Sequence, residues 1–405
     1  MAINITHEPQ EWTPVYNEMR FVVGSTNTAQ PNFRYVADIY VSGVAGYTRL
    51  TCDSNVITGY GTFDISNVIQ AHISHDIDHT VYGFQRCTNS YKAYIVRFGE
   101  QYGTNPVVYP NLQDTGTKYA WNASLDPVVL ETYNYQNYTL GLGGVLLTQQ
   151  PETQKFVSDS EQRWLYFIND VSGSAYYLKC TTYDSAGNTL GTFLVENPYQ
   201  ASASITQDKL LRVGIGVEDL NNATLASGSQ PVIDNTVNRY EVALTNYANN
   251  NPSTSYYFER DCTARGQNPV EIVFLNELGG FDMYGYKYRR DITSTVEREF
   301  VEKNNGYLSG NSWNQDVINR GQRQVYTSAT DTINCTSEMI GSEVTINWLK
   351  ELFESPEVYW HNGQYLRPVI VVDSNYHTIR YKVWDMLWEF KTSFRLANKR
   401  KRQQG

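Results

Sequence analysis

Phe33-Arg34-Tyr35-Val36-Ala37-Asp38-Ile39-Tyr40-Val41 decides the fold class. Taken two at a time, Phe33, Tyr35, Ala37, Ile39 and Val41 fall on one face, which is the period of a half-buried β-strand and not of a helix. Upstream, Met19 to Val23 is a shorter apolar run closed by Gly24-Ser25, and the polar stretch between the two runs would let them pair. Downstream, Gly61 leads into a short strand from Phe63, then a helical turn that Asp64 or Ser66 can cap. Tyr91 to Phe98, with Tyr94, Val96 and Phe98 in step, is strand again, and Gly99 is read as its stop.

The middle of the chain repeats this grammar. Trp164 to Ile168 is a buried-type strand; Tyr176 to Tyr183 and Thr189 to Phe193 flank the turn Asp184-Ser185-Ala186-Gly187-Asn188, where glycine allows positive φ. Leu210 to Val217, Tyr240 to Asn246 and Tyr256 to Glu259 continue the series, as expected of a β-sandwich. The last third restarts at Val270 to Leu275 and breaks at Gly279-Gly280, read as a tight corner. One helix is expected at about 345–354, capped by Thr345, with Trp348, Leu349, Leu352 and Phe353 on a stripe and Pro356 beyond it. Two alternating strands follow, through Ile379, Tyr381 and Val383 and through Met386, Trp388, Phe390, Phe394 and Leu396. Gly306 to Gln324, polar and rich in Asn and Gln, is expected as a long loop. The predicted fold is therefore mainly β: an N-terminal platform over 1–100, a sandwich over 101–265 inserted in it, and a C-terminal part over 266–405 that completes the platform, with one or two short helices.

Composition bounds what such a fold does. Only 18% of the 405 residues are charged, below the roughly 25% usual for soluble domains, while 32 are tyrosine. Tyrosine buries a large ring at little entropic cost and tolerates water at its hydroxyl, which suits surfaces that are wet before assembly and covered after it. The opening residues have neither the basic nor the apolar region of a signal peptide, no window is long and apolar enough for a membrane span, and synthesis in the cytoplasm is expected. Cys52, Cys87, Cys180, Cys262 and Cys335 are odd in number and scattered, so free buried thiols are expected, not a disulfide framework or a zinc site.

Chemistry finds few footholds. There is no G-x-S-x-G, H-E-x-x-H or P-loop string, and Arg212-Val213-Gly214-Ile215-Gly216-Val217 lacks the third glycine of a dinucleotide site, so its glycines read as close packing. Carboxylates are too many for a glycosidase pair to be singled out. His72, His75 and His79 crowd one short stretch with Asp76 and Asp78; imidazole suits zinc, nickel or copper, but a polar loop without metal is the reading adopted, and chelators are expected to leave the fold unchanged. No cofactor and no catalysis are expected. Lys399-Arg400-Lys401-Arg402 forms a basic tail on a chain of net charge −10, able to meet an acidic partner; four charges attract nucleic acid only weakly, so nucleic acid is not an expected partner. Two tyrosine groups are expected at subunit interfaces: Tyr133, Tyr135 and Tyr138, and the stripe Tyr284, Tyr286 and Tyr288, whose three hydroxyls on one strand face favour partial exposure.

Four strings carry a resemblance. Trp12-Thr13-Pro14-Val15-Tyr16-Asn17, Asn32-Phe33-Arg34-Tyr35-Val36-Ala37-Asp38-Ile39-Tyr40, Phe274-Leu275-Asn276-Glu277-Leu278-Gly279-Gly280-Phe281-Asp282 and Trp348-Leu349-Lys350-Glu351-Leu352-Phe353-Glu354-Ser355-Pro356 resemble segments of virion structural proteins of tailed phages of Bacteroidetes hosts, including crAss-like phages. The resemblance implies a structural subunit of the tail, neck or baseplate ring, located in the virion and assembled with copies of itself and with other virion proteins. It supplies no catalytic residue. The alternative is a carbohydrate- or receptor-binding tail protein, which would use exposed Tyr and Trp beside Asp and Asn in a concave site; only then is a glycan a partner.

Overall fold

The run that opens at Phe33 forms the strand Arg34–Val41, and it lies inside a sheet, hydrogen-bonded on both edges. The computed structural model describes residues 3–401 apart from 141–144, 157, 170–174, 200–207, 247, 249–252, 262–268, 288, 304–305, 316–320 and 373–388. The fold is mainly β, with several sheets and, among the described residues, four α-helices and one 3-10 turn. It divides into two units: Met1–Thr263 with Leu275–Asp282, and Ala264–Phe274 with Met283–Gly405.

The first unit contains two sandwiches. In one, a sheet ordered Trp12–Pro14, Lys118–Trp121, Tyr91–Tyr102, Arg34–Val41, Thr48–Asp53 faces a smaller sheet of Ile3–His7, Arg20–Ser25 and Gly61–Asp64. Tyr35, Ile39, Val96 and Phe98 from the larger sheet pack on Phe21, Val23 and Phe63 from the smaller, and each such burial stabilises by roughly 1.5–3 kcal/mol. Residues 19–23 and 33–41 thus do not pair, as their pattern suggested; the polar link between them crosses from one sheet to the other, so their apolar sides meet face to face. Nor does Gly99 end its strand, which runs to Tyr102; a side chain at Gly99 would strike the backbone of Tyr109 and Pro110, so glycine here admits the returning strand Val107–Asp114. In the second sandwich a six-stranded sheet that includes Tyr177–Tyr183, Arg239–Thr245 and Tyr256–Arg260 covers a three-stranded sheet of Trp164–Ile168, Leu210–Gly214 and Phe84–Arg86. The turn at Asp184–Asn188 forms as expected, with Gly187 at φ +84° and the Asp184 carboxylate accepting the N–H groups of Ala186 and Asn188.

Among the described residues the second unit holds an eight-stranded sheet, a two-stranded sheet and one helix. The helix, Glu343–Glu354, starts two residues before the expected point because Ser342, not Thr345, is its cap, and Ile346, Trp348, Leu349 and Leu352 face the sheet's core. The last alternating strand appears as Lys391–Leu396, while the expected strand through Ile379, Tyr381 and Val383, together with Met386 and Trp388, falls outside the described residues.

The three-part division expected from the sequence differs from this one. The strand Tyr91–Tyr102 spans the expected boundary at 100, and Phe84–Arg86 pairs into the sandwich that was to begin after it. Tyr35 and Phe390 lie in separate cores, so strand periodicity at both ends of the chain is not the sign of one shared platform.

Candidate functional site

Most of the described residues in the expected polar loop, Gly306 to Gln324, lie in strands, while 316–320 fall outside the described residues. Arg289–Glu302 pairs antiparallel with Gln322–Thr336 from Arg289 opposite Thr336 to Glu302 opposite Gln322. At the tip, Gly306–Ser309 pairs with Ser312–Gln315, and Trp313 lies so close over Gly306 that a side chain there would meet its indole nitrogen at 2.5 Å. Gly306 to Gln324 reads as a loop because it is polar and rich in Asn and Gln; backbone ladders nevertheless pair Gly306–Ser309 with Ser312–Gln315 and carry Arg289–Glu302 and Gln322–Thr336 as an extended arm. At about 3.4 Å per residue its edge strand is ~45 Å long.

Little supports the arm. Lys391–Leu396 pairs only as far as Thr332, and Arg400–Lys401 only with Ser328 and Ala329. Beyond them, among the described residues, two strands continue as a ribbon, and nothing pairs with the outer edge of Arg289–Glu302. A two-stranded ribbon is marginal in water, and a long open edge is a template for another chain. Among its exposed polar and charged residues stand large apolar ones: Ile292, Val296, Phe300 (56% exposed) and Val301 on the edge strand, and Tyr307, Leu308 (66%) and Trp313 (55%) at the tip. Large apolar groups gathered on one exposed element mark a contact site. The first unit holds a smaller example, the loop tip at Val56 and Ile57, which Asn55 shapes by accepting the N–H groups of Ile57 and Thr58.

The basic tail ends on this arm. Lys399 Nζ lies 3.1 Å from Glu297 Oε2, and Arg400 donates to Asp331 Oδ1 at 2.6 Å, while Lys401 continues the short edge strand. Hydrogen bonds from Lys399 and Ser328 hold the Glu297 carboxyl below its ordinary range. The cations at 399 and 400 thus have acidic partners in their own chain, which reduces their value as a handle for nucleic acid; Arg402 lies outside the described residues.

The tyrosine stripe points the other way from expectation. Tyr284 (8% exposed) and Tyr286 (2%) are core, in ring contact with each other, with Trp348 and with Phe394. A hydroxyl on this face needs no water where the core supplies a partner: Tyr286 and Thr392 share a 3.0 Å hydrogen bond. Burial raises the Tyr284 phenol far above its ordinary pKa. Tyr288 lies outside the described residues. The other group is half-buried against its own chain. Tyr133 donates to the Trp12 carbonyl at 2.6 Å and stacks on Trp121 and Tyr138, and Tyr135 donates to Glu11 at 3.1 Å. Burial raises the Tyr133 phenol as well.

No family model matches the chain, and no curated protein matches it.

The histidine stretch is a fixed loop. Asp76 accepts from the Asn89 and Ser90 backbones at 2.7 and 3.0 Å, the Asp76 carbonyl accepts from Tyr166, and Arg212 donates to the Asp78 carbonyl. His75 meets the ring of Phe281 edge-on, and the His79 carbonyl accepts from Gln162. Among the described residues no three His, Cys, Asp or Glu side chains gather as a metal site, those of His72, His75 and His79 included. Behind the loop sits a buried polar brace that sequence reasoning passed over. Arg212 lies over Trp164, and Asp219 accepts the backbone N–H groups of Arg163 at 2.8 Å and Gly216 at 3.3 Å. A side chain at Gly214 would strike Asp219, and one at Gly216 would strike Glu161 and Arg163, so those glycines serve close packing. Cys52, Cys87, Cys180 and Cys335 are free, and burial raises the half-buried Cys52 thiol to about 11, so it stays a thiol at neutral pH. Among the described residues no helix is long and apolar enough to cross a membrane.

The sequence contained a signal for the arm. Ile292, Val296 and Phe300 recur every fourth residue and share a strand face, but isolated apolar residues in a charged, threonine-rich run do not make the dense alternation of Phe33–Val41.

Proposed function

We propose that this chain is a structural subunit of a phage virion, in the tail, neck or baseplate, that works by packing against other protein chains through the arm of Arg289–Glu302 and Gln322–Thr336. The observation that carries the reading is the arm itself: a ribbon whose edge is open among the described residues and which exposes Phe300, Tyr307, Leu308 and Trp313 to water. Ile333 and Cys335 tie the arm's base to its unit's core, but the exposed apolar residues farther out gain burial only against a partner. The four strings resembling phage virion proteins support the virion setting. Catalysis and cofactors have no part in this reading. A sugar-binding role would call for aromatics in a recess, and Tyr307 and Trp313 stand on a two-stranded ribbon instead.

The test is replacement of Tyr307, Leu308 and Trp313 together by Ser. The expected result is an unchanged far-ultraviolet spectrum and thermal midpoint, with loss of the chain from assembled particles. Incorporation at the wild-type level would remove the arm from the account. Absence of the wild-type chain from purified particles, probed with an antibody, would remove the virion.

A further inference from the structure

The arm's open edge is symmetric in its chemistry, and we infer that it pairs with the same strand of a second copy, antiparallel, about a two-fold axis through Val296. The inference rests on the assembly reading above and names one partner for it.

The edge strand keeps strict alternation along its length, because the register shift near Glu299 and Phe300 places the extra residue, Val325, on the inner strand. Arg290, Ile292, Ser294, Val296, Arg298, Phe300 and Glu302 therefore share one face. Two such strands related by an axis through Val296, normal to the sheet, set Ile292 opposite Phe300, Val296 opposite its own copy and Arg290 opposite Glu302. Apolar groups meet in the middle of the contact and opposite charges close its ends, the pairs that stabilise neighbouring strands. On the other face Asp291 meets Val301, Thr293 meets Glu299 and Thr295 meets Glu297, with no like charges opposed.

Neighbouring registers lose this. An axis through Thr295 sets Asp291 against Glu299, and one through Glu297 sets that carboxylate against itself; like charges directly opposite are destabilising. The stretch from Arg290 to Glu302 also has no proline, glycine or lysine, the residues that commonly protect an edge from such pairing, and it is rich in β-branched Ile, Thr and Val. Pairing about a two-fold axis uses each copy's edge once, so the contact closes as a dimer instead of growing into a fibre.

Cysteine scanning with a short bis-maleimide tests the register in the full chain, with wild type as the background for native thiols. Val296→Cys alone should cross-link to a dimer. Ile292→Cys and Phe300→Cys should each stay monomeric alone and cross-link when mixed. Val296→Lys should keep the wild-type thermal midpoint and raise the dimer dissociation constant in sedimentation by about tenfold or more, since it buries two unpaired ammonium groups. The proposal is overturned if Val296→Cys gives no more dimer than wild type, if Ile292→Cys alone links as well as the mixture, or if Val296→Lys sediments as wild type does. Should it fall while the Tyr307, Leu308 and Trp313 variant still drops out of particles, self-pairing alone is wrong; should that variant also be incorporated normally, the assembly reading falls with it.

Discussion

Arg34–Val41 and Arg289–Glu302 are both built from alternating and β-branched residues, and they end in opposite environments. The first is buried at every position but Arg34 and Tyr40; the second is exposed from Arg290 to its end. Arg34–Val41 has a strand on each edge and a second sheet over one face, and on its reverse side Asp38 is closed over by a two-pronged ion pair with Arg49 at 2.6 and 2.7 Å. Among the described residues Arg289–Glu302 has one neighbouring strand, and its side chains are exposed from Arg290 to Glu302. Alternation specifies a strand and two faces. The number of neighbours and the layer above are set by the rest of the chain, and those decide whether an apolar side chain is core or contact.

The contrast breaks most sharply at single side chains. Tyr35→Ala should destabilise the first unit by about 3–5 kcal/mol in urea unfolding, because the ring is fully enclosed and its hydroxyl donates to the Gly59 carbonyl at 2.6 Å. A loss below 1 kcal/mol would mean that the enclosed strand is no better supported than the arm.

Acidity offers a second lever, in the other sandwich of the first unit. Burial lifts the Asp219 carboxyl to about 7, against the opposing effects of the Arg163 backbone N–H and the Arg212 charge. The unfolded chain releases this proton near pH 4, so between about pH 4 and 7 the folded state holds one proton more. Its contribution is full below that window, declines as pH rises through it, and is gone above 7, a change of up to ~4 kcal/mol. Asp219→Asn should flatten the decline in unfolding midpoints measured across that range; an unchanged slope would assign it to other groups.

Gly279→Ala should cost about 1–3 kcal/mol, since φ is +86° and the new methyl group would strike the Asn122 carbonyl. Wild-type stability in that variant would show that the corner yields. The smallest effect belongs to the arm: Phe300→Ala should change unfolding by no more than about 0.5 kcal/mol, as at other exposed positions. A loss comparable to that at Tyr35 would mean that the ribbon is already covered in the isolated chain.

How much of this was legible follows from the same physics. Phe33 to Val41 announced the β class because its alternation is dense, and Gly279-Gly280 announced a corner because only glycine fits there. The arm was missed because Asn and Gln are weak strand formers, and its ladder is set by pairing that local preference does not reveal. Tyr284 and Tyr286 were assigned to the right face and the wrong side of the molecule, since periodicity groups residues without saying which group faces in; Thr392, distant in sequence, supplied the missing partner. The Asp219 brace has no sequence signature, because its partners are backbone N–H groups.

The short segment Leu275–Asp282 has a consequence for how the chain is made. It belongs to the first unit, where Trp121 donates to the Leu278 carbonyl and Asn276 to that of Leu147, yet the ribosome delivers it after Val270–Phe274, which belongs to the second. Domains commonly fold in order as they emerge, at roughly 5–20 residues per second. By this order the first unit should be complete only once Asp282 has left the exit tunnel, when Val270–Phe274 of the later unit is already outside without its partners. Nascent chains stalled between these points should be the ones that engage chaperones, and a protein cut at residue 263 should retain most of the first unit's sequence without its closing piece.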